Sequence, residues 1–200
     1  MTKGREPDLL DRLAATLAAR SDVRFGIATT DADRAIAYRL RHDAVTEKQW
    51  SSDAGSGIER DEFDDTALHL IGWRHGTAVC CGRLVLPPGP LPTEVACGIV
   101  VQPVGRVVDV GRMVLAPAAR GPDKTIFVAL LAALYLQVRR QGFTTGCGMM
   151  AVNARVLLRH LGIGLDVLGE DRPYWGVQRA PVRFDVSLHG STVLERWVTG

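Results

Sequence analysis

An acid and an arginine interrupt an otherwise apolar, β-branched run at residues 107–115, VVDVGRMVL. Such a run predicts a buried strand whose side chains alternate between the two faces of a sheet. Asp109 and Arg112 are three residues apart, so on a regular strand they point to opposite faces. Gly111 favours a β-bulge near Val110-Gly111, which would return both side chains to one face. Without a bulge, Asp109 and Arg112 are separate charges on an edge strand.

Apolar periodicity divides the rest of the chain into further strands and helices. Predicted strands cover residues 23–29, 67–73, 77–86, 144–150, 165–169 and 176–188, and predicted helices cover 7–20, 32–45, 124–141 and 153–161. Strands and helices alternate, but a tight turn at residues 74–76 joins two strands directly, as in an antiparallel hairpin. This order predicts an α/β fold in which a mixed, mostly antiparallel, twisted sheet carries helices on both faces.

The helix predicted over residues 7–20 has an apolar stripe of leucines at helical spacing. Such a stripe usually packs on the rest of the domain, and the alternative is that it docks on a membrane or a partner. The chain has 200 residues, which suffices for one domain with a sizeable core, with or without a small extension.

The charge balance and the cysteine spacing argue against several classes of protein. The net charge of +2, from 24 basic and 22 acidic residues, indicates neither a nucleic-acid-binding stripe nor a polybasic membrane patch. Cys80, Cys81, Cys97 and Cys147 lack the spacing of a metal site and are typical of buried thiols in a reducing compartment. No apolar signal core or bilayer-length apolar run is found. We therefore expect a cytoplasmic protein without a metal, a nucleic-acid partner or a membrane span.

An acidic run precedes the second predicted strand and contains three carboxylates of interest, those of Glu59, Asp61 and Asp64. From composition alone it is a solvated surface loop; alternatively, it forms a cradle for a cationic amine. Trp50 lies in the preceding polar segment, where a large ring usually covers something. Arg41 and Arg83 either pair with the acidic run and hold its shape or bind a carboxylate or phosphate.

The segment before the long apolar helix, residues 118–124, contains one glycine and one proline. It is a poor phosphate-binding nest, because proline removes an amide donor. Arg120, Lys124 and the start of the helix could still hold a phosphate, and the alternative is an ordinary first helical turn.

Taken in order, these segments resemble the successive motifs of the acyl-homoserine-lactone (autoinducer) synthases. The matching pieces are Leu40-Arg41, Trp50, the run Ile58-Glu59-Arg60-Asp61-Glu62-Phe63-Asp64, Arg83-Leu84 and Asp109-Val110-Gly111-Arg112. Order and spacing are similar over residues 36–116. These synthases belong to the GNAT acyltransferase superfamily, whose plan the N-acyl amino acid synthases share. The resemblance implies a GNAT-like three-layer fold over residues 22–200, with residues 1–21 as an N-terminal helical extension.

The resemblance also implies transfer of an acyl group from an acyl-carrier-protein or coenzyme A thioester, as a co-substrate, to an amine. The acceptor is an amino-acid-like amine, or S-adenosylmethionine if a lactone is formed. By the family pattern, substrate-binding residues are Arg41, Trp50, Glu59, Asp61, Asp64 and Arg83. The acyl donor would lie along Met113, Val114, Leu115, Arg120 and Lys124.

Asp109 occupies the position of the family's general base, and Arg112 follows it as the second catalytic residue. The family generally has Glu where Asp109 stands, and usually an aromatic residue where this chain has Met113. These departures bear more on the lactone product than on acyl transfer. A hypothesis of another class is a catalytically silent module that binds an acyl ligand or a carrier protein.

Overall fold

The computed structural model describes residues 9–50, 57–121, 124–160 and 162–186. The helices are α1 (Leu9–Ala19), α2 (Asp31–Glu47), α3 (Pro92–Cys97), α4 (Thr125–Arg140) and α5 (Val152–His160). The strands are β1 (Arg24–Ile27), β2 (Leu68–Arg74), β3 (Thr77–Val85), β4 (Val107–Leu115), β5 (Thr145–Met150), β6 (Leu165–Val167), β7 (Arg172–Tyr174) and β8 (Val177–Asp185).

The strands lie side by side in the order β1-β2-β3-β4-β5-β8-β6, and β7 pairs with β8. Within the described residues every strand pair is antiparallel except β4 with β5. A parallel pair needs a long crossover, and here α4 supplies it. The mixed, mostly antiparallel sheet predicted from the sequence is confirmed.

Helices cover both faces of the sheet and form the outer two of three layers. On one face α2 packs through Ala37 and Ala44 against Ile71 of β2. On the other face α4 packs through Leu130 and Leu134. This arrangement is GNAT-like, as the sequence predicted.

The apolar character of α4 on nearly all sides has a structural reason. One side lies on the sheet, and α1 covers another side, where Ala14 and Leu17 pack against Ala132. A helix that is buried on two sides needs apolar residues around most of its circumference. The division at residue 21 stays a prediction. No helix in the described ranges is long and apolar enough to cross a membrane.

Two short elements were not predicted, α3 and β7. The proline-rich segment after the strand predicted over residues 77–86 is typical of a loop, but its last proline, Pro92, occupies the first turn of α3, where proline is favoured. Glu94 then accepts a hydrogen bond from the amide of Leu91 at 3.3 Å and another from the amide of Val101 at 2.8 Å. The predicted end of the last strand, residues 187–188, lies outside the described residues.

Candidate active site

The bulge on β4 lies at Arg112 and Met113. The register of β3 and β4 shifts so that these two residues lie opposite Gly82 alone. The sequence predicted the bulge near Val110-Gly111, so the bulge exists but begins just after that position. Arg112 has φ +52°, a left-handed conformation that is uncommon for a residue other than glycine and costs about 1–3 kcal/mol. The bulge turns Arg112 onto the sheet face that carries Asp109.

Arg41 on α2 is buried against the acidic run. Its two terminal nitrogens, Nη1 and Nη2, donate to Oδ1 and Oδ2 of Asp64 at 2.8 and 2.7 Å. Its Nε donates to the carboxylate of Glu59, and Nη2 also donates to the Glu59 carbonyl at 2.7 Å. This bidentate geometry is the strongest kind of arginine–carboxylate contact and joins α2 to the acidic run.

Two further arginines reach the same carboxylates from the sheet. Nη1 of Arg83 donates to Oδ1 of Asp61 at 2.5 Å and to Oδ1 of Asp64 at 2.9 Å. Arg112 donates from Nη2 to Oδ2 of Asp61 at 2.8 Å and from Nε to Oε1 of Glu59 at 3.0 Å. We call these six residues the ion-pair cluster: Arg41, Glu59, Asp61, Asp64, Arg83 and Arg112. Three guanidinium groups balance three carboxylates, so the cluster carries no net charge.

Burial raises the pKa of Asp64, but the hydrogen bonds and charge of Arg41 and the charge of Arg83 outweigh it and hold the pKa well below the ordinary carboxyl range. Burial likewise lowers the pKa of Arg41, and its two carboxylate partners more than reverse that effect. The inward side of the acidic run is therefore neither a solvated surface nor a free acidic cradle. The sequence left two roles open for Arg41 and Arg83. These contacts agree with the role in which the two arginines pair with the acidic run and hold its shape.

Asp109 lies deeper, with only 4% of the residue exposed. Its Oδ2 accepts a hydrogen bond from the amide of Thr93 at 2.8 Å, and the thiol of Cys147 donates to the same oxygen at 3.6 Å. The side chain of Thr93 lies beside the same carboxylate. Burial raises the pKa of Asp109, and the Thr93 hydrogen bond only partly opposes this effect. A buried carboxylate with a raised pKa has the properties of a proton acceptor.

Trp50 and Trp175 form an aromatic pair beside the bulge. Their ring centroids are 5.4 Å apart, and the guanidinium carbon of Arg112 lies 4.9 Å from the centre of the Trp175 ring. Arg179 of β8 lies 5.6 Å from the Trp50 ring and 5.5 Å from the Trp175 ring. Trp175 occupies the turn between β7 and β8 with φ +47°, followed by Gly176 with φ +77°. The pair thus connects the end of α2 to this hairpin.

Gly176 allows Trp50 to pack directly on the hairpin turn, because a β-carbon at this position would overlap the Trp50 ring. We expect Gly176→Ala to lower the free energy of unfolding by about 1–3 kcal/mol, since it combines this overlap with a strained positive φ. Urea denaturation followed by tryptophan fluorescence measures the loss. The matched control is Gly89→Ala, where a β-carbon meets open space. Equal stability and equal emission of the two variants would contradict the packing role.

A cavity of about 430 Å³ lies between the far end of β4, the start of α4, α5 and the aromatic pair. Apolar walls come from β4 and from Phe127, Ala154 and Leu157. The pairing of β4 with β5 ends at Asp109, whereas β4 continues past it along this cavity. The cations that line the cavity are Lys48, Arg120, Lys124 and Arg179. Among the described residues that line the cavity none is acidic, and Arg120 is ion-paired to Glu47 at 2.7 Å. The cavity suits a ligand that is apolar in one part and anionic in another.

The predicted site residues form two neighbouring groups, and one further residue, Asp109, lies apart from both. The predicted residues that meet in the ion-pair cluster are Arg41, Glu59, Asp61, Asp64, Arg83 and Arg112. Those that line the cavity are Trp50, Met113, Val114, Leu115, Arg120 and Lys124. Asp109 contacts neither group directly, because it lies further back on β4 beside Thr93 and Cys147. The roles of all these residues in binding and catalysis stay predictions.

Several residues of this region were missed by the sequence analysis, notably Trp175, Arg179 and Thr93. The only local signal for the first was an aromatic pair, Tyr174-Trp175, directly before a glycine, which is typical of a turn. Thr93 donates to Asp109 through its backbone amide, and a backbone group gives no signal in the sequence. The described residues contain no group of three or more His, Cys, Asp or Glu side chains arranged to hold a metal.

Comparison with known proteins shows similarity at the level of structure. No protein-family model and no curated protein matches the sequence. MesI, a CoA-dependent acyl-homoserine lactone synthase, has a TM-score of 0.70 at 20% identity, over 88% of this chain and 96% of MesI. BjaI is a CoA-dependent synthase of the same kind, solved with S-adenosylmethionine and isopentyl-CoA. It has a TM-score of 0.68 at 19% identity, over 84% of this chain and 83% of BjaI.

FeeM, an N-acyl amino acid synthase from uncultured soil microbes, has a TM-score of 0.64 at 13% identity, over 88% of this chain and 97% of FeeM. All three matches span most of both chains, so the similarity concerns the whole fold rather than a fragment. The protein therefore has the GNAT-like fold of the acyl-homoserine lactone synthases and of the N-acyl amino acid synthase FeeM.

Proposed function

We propose that this protein is an N-acyltransferase that moves an acyl group from a thioester of coenzyme A or of acyl-carrier-protein phosphopantetheine to the amine of an amino-acid-like acceptor. The observation that carries this proposal is the cavity beside β4, which joins apolar walls to a group of lysine and arginine side chains. An acyl thioester has the same two parts, an apolar acyl chain and an anionic phosphate. The similar structures of MesI and BjaI, both CoA-dependent synthases, support a thioester donor.

The donor would lie along Met113, Val114 and Leu115, where β4 has no pairing partner on its β5 side. Its phosphate would meet Arg120 and Lys124 before α4, where lysine and arginine charges and helix amides favour an anion. Backbone N–H groups at the bulge would stabilise the oxyanion that forms on the thioester carbonyl.

The chemistry needs one base and no covalent enzyme intermediate. Asp109 takes a proton from the acceptor ammonium, directly or through a water, and the resulting neutral amine attacks the thioester carbonyl. The tetrahedral intermediate collapses and the carbon–sulfur bond breaks. The attacking nitrogen gives up its second proton as the amide forms, the departing thiolate receives that proton, and Asp109 returns the first proton to solvent. The products are an amide and a free thiol. The raised pKa of Asp109 suits this role, since it brings the carboxylate closer to the pKa of the group it deprotonates.

An amino-acid-like acceptor fits the charges of the site better than S-adenosylmethionine does. The carboxylates of the ion-pair cluster are already balanced by arginines, so none is left over to balance a sulfonium. The faces of the aromatic pair are near Arg112, Arg179 and Lys48, which disfavour a second cation there. The N-acyl amino acid synthase activity of FeeM supports the same choice.

Incubation with acyl-CoA and acyl-carrier donors and a panel of amines, followed by mass spectrometry, tests the proposal. The panel contains the proteinogenic L-amino acids and S-adenosylmethionine. We expect N-acyl amino acids and free thiol in equal amounts. A lactone formed from S-adenosylmethionine would replace the acceptor assignment. An absence of any acyl product with every donor would overturn the enzyme itself.

A further inference from the structure

Arg179 on β8 is a partly buried cation with no partner of opposite charge in the described part of the chain. Its Nε is buried without a hydrogen-bond acceptor, and it makes no ion pair with a described residue. Arg112, the neighbouring arginine, is different because it forms ion pairs with two carboxylates. Buried donors are almost always satisfied in folded proteins, so an unsatisfied guanidinium in a cavity wall indicates a missing ligand.

A second unsatisfied donor lies next to it. The indole Nε1 of Trp175 is also buried without an acceptor, and the centre of its ring is 5.5 Å from the Arg179 guanidinium carbon. Both residues line the same 430 Å³ cavity. Two neighbouring groups that can only donate hydrogen bonds call for a ligand that can only accept them, and a carboxylate or a phosphate meets that requirement.

The electrostatics of the region agree with an anionic ligand. Burial lowers the pKa of Arg179, Tyr174 opposes this effect in part, and the charge of Arg112 adds to it. Lys48 lies nearby, 4.7 Å from the centre of the Trp50 ring, and adds a further positive charge to the same wall. An arginine near aromatic rings keeps a defined orientation, which makes it selective for a planar oxyanion.

We propose that Arg179 and Trp175 bind the carboxylate of the acceptor and thereby select amino acids over amines that lack a carboxylate. This inference rests on the proposed acyl transfer and names the acceptor group that the site reads. We assign this contact to the acceptor carboxylate rather than to the donor phosphate because of where the two residues lie. Trp175 is shared between Arg179 and the bulge residue Arg112, whereas the cations that suit the donor phosphate, Arg120 and Lys124, precede α4.

The test compares Arg179→Gln with wild type on the amino acid that the panel acylates fastest and on its carboxamide. A lost charge-assisted contact predicts that KM for the amino acid rises about 10- to 100-fold, with a smaller change in kcat. KM for the carboxamide should stay within about twofold. The carboxamide has no carboxylate, so the variant removes no ionic contact with it. KM for the acyl donor should not change.

Three outcomes would overturn the proposal. Equal effects on the amino acid and its carboxamide would mean that Arg179 does not read the carboxylate. A raised KM for the donor alone would assign the contact to the donor phosphate. Unchanged kinetics would leave Arg179 without a ligand role. The control is Arg183→Gln on the same strand, because Arg183 already has its own partner, Asp166, at 2.5 Å.

A binding measurement separates this inference from the proposed reaction. Trp50 and Trp175 report on the subsite, so tryptophan fluorescence is titrated with each proteinogenic amino acid and with acetate, without any acyl donor. If wild type binds an amino acid and Arg179→Gln does not, the subsite stands even where no acyl product forms. If wild type binds none of them, the subsite is overturned. Arg179→Lys, which keeps the charge but loses the planar group, should retain part of the binding and serves if the first variant does not fold.

Discussion

Replacing Asp109 by Asn is expected to reduce turnover about 10²- to 10⁴-fold, the usual contribution of a positioned general base. Asn has nearly the same shape, and its amide oxygen can still accept the hydrogen bond that the Thr93 amide donates at 2.8 Å. The variant therefore removes the proton acceptor and leaves the packing around β4 intact. Turnover is measured by thiol release from the acyl donor, with saturating acceptor.

The same substitution should not lower stability at neutral pH, which separates a catalytic from a structural role. The folded pKa of Asp109 is raised by burial, so the native state holds its proton more tightly than the unfolded chain does. Its contribution to stability is then fully present below the unfolded pKa and is lost as the pH rises through the folded pKa. At pH 7 the neutral amide of Asn should leave the unfolding midpoint unchanged or raise it.

Asp166→Asn is the matched control, because this aspartate lies on β6 and pairs at the surface with Arg183. It should keep wild-type turnover. An Asp109→Asn enzyme with wild-type turnover would remove Asp109 from the mechanism. A folded wild-type chain that binds acyl donors but shows no turnover would instead favour the silent binding module.

Acidic residues that look alike in the sequence have different roles in the structure. Glu62 and Asp65 face solvent, whereas Asp64, in the same run, is fully buried between Arg41 and Arg83. A carboxylate is buried at low cost only when it is paired, and the two guanidinium groups that pair with Asp64 come from a helix and from a strand, each about 20 residues away in the chain. The cluster therefore fixes the acidic run against α2, β3 and β4, which brings α2 and Trp50 at its end close to the cavity.

The sequence predicted what depends on local pattern. The bounds of β4 agree with the prediction, because nine consecutive residues carry one unbroken strand signal. The bulge was predicted from Gly111, which lies between Asp109 and Arg112, and the structure has it just after that position, at Arg112 and Met113. The short α3 was missed, since six residues after a proline-rich loop give little periodicity.

What the sequence did not predict depends on contacts between distant segments. Trp50 and Trp175 are separated by more than half of the chain, and no local pattern signals that their rings pack together. The same holds for Arg179, which looks like any other polar residue on an alternating strand until its lack of an acceptor is seen. Likewise, burial of the Asp64 side chain cannot be read from a run of six residues that contains four acids.

The buried carboxylate of Asp64 leads to the largest expected change in stability. Asp64→Asn removes one charge from between two guanidinium groups, and its amide N–H₂ can face a donor where the carboxylate accepted at 2.7 to 2.9 Å. Breaking a buried ion pair on one side typically costs about 3–5 kcal/mol. For a domain of this size that corresponds to a fall of roughly 10 °C in Tm. Urea and thermal unfolding of the two proteins at pH 7 measure the difference.

Asp65→Asn is the control, because the adjacent aspartate is exposed and pairs with the exposed Arg60. A surface pair contributes about 0–1 kcal/mol, so this variant should unfold close to wild type.

The pH dependence of unfolding gives an independent check. Asp64 has a lowered folded pKa, so its contribution is present above the unfolded carboxyl pKa, about 3.9, and is lost as the pH falls toward the folded value. The difference in the free energy of unfolding between wild type and Asp64→Asn should therefore become smaller below about pH 4. If the two variants unfold alike at pH 7, or if this difference does not become smaller in acid, the ion-pair cluster does not hold the acidic run in place.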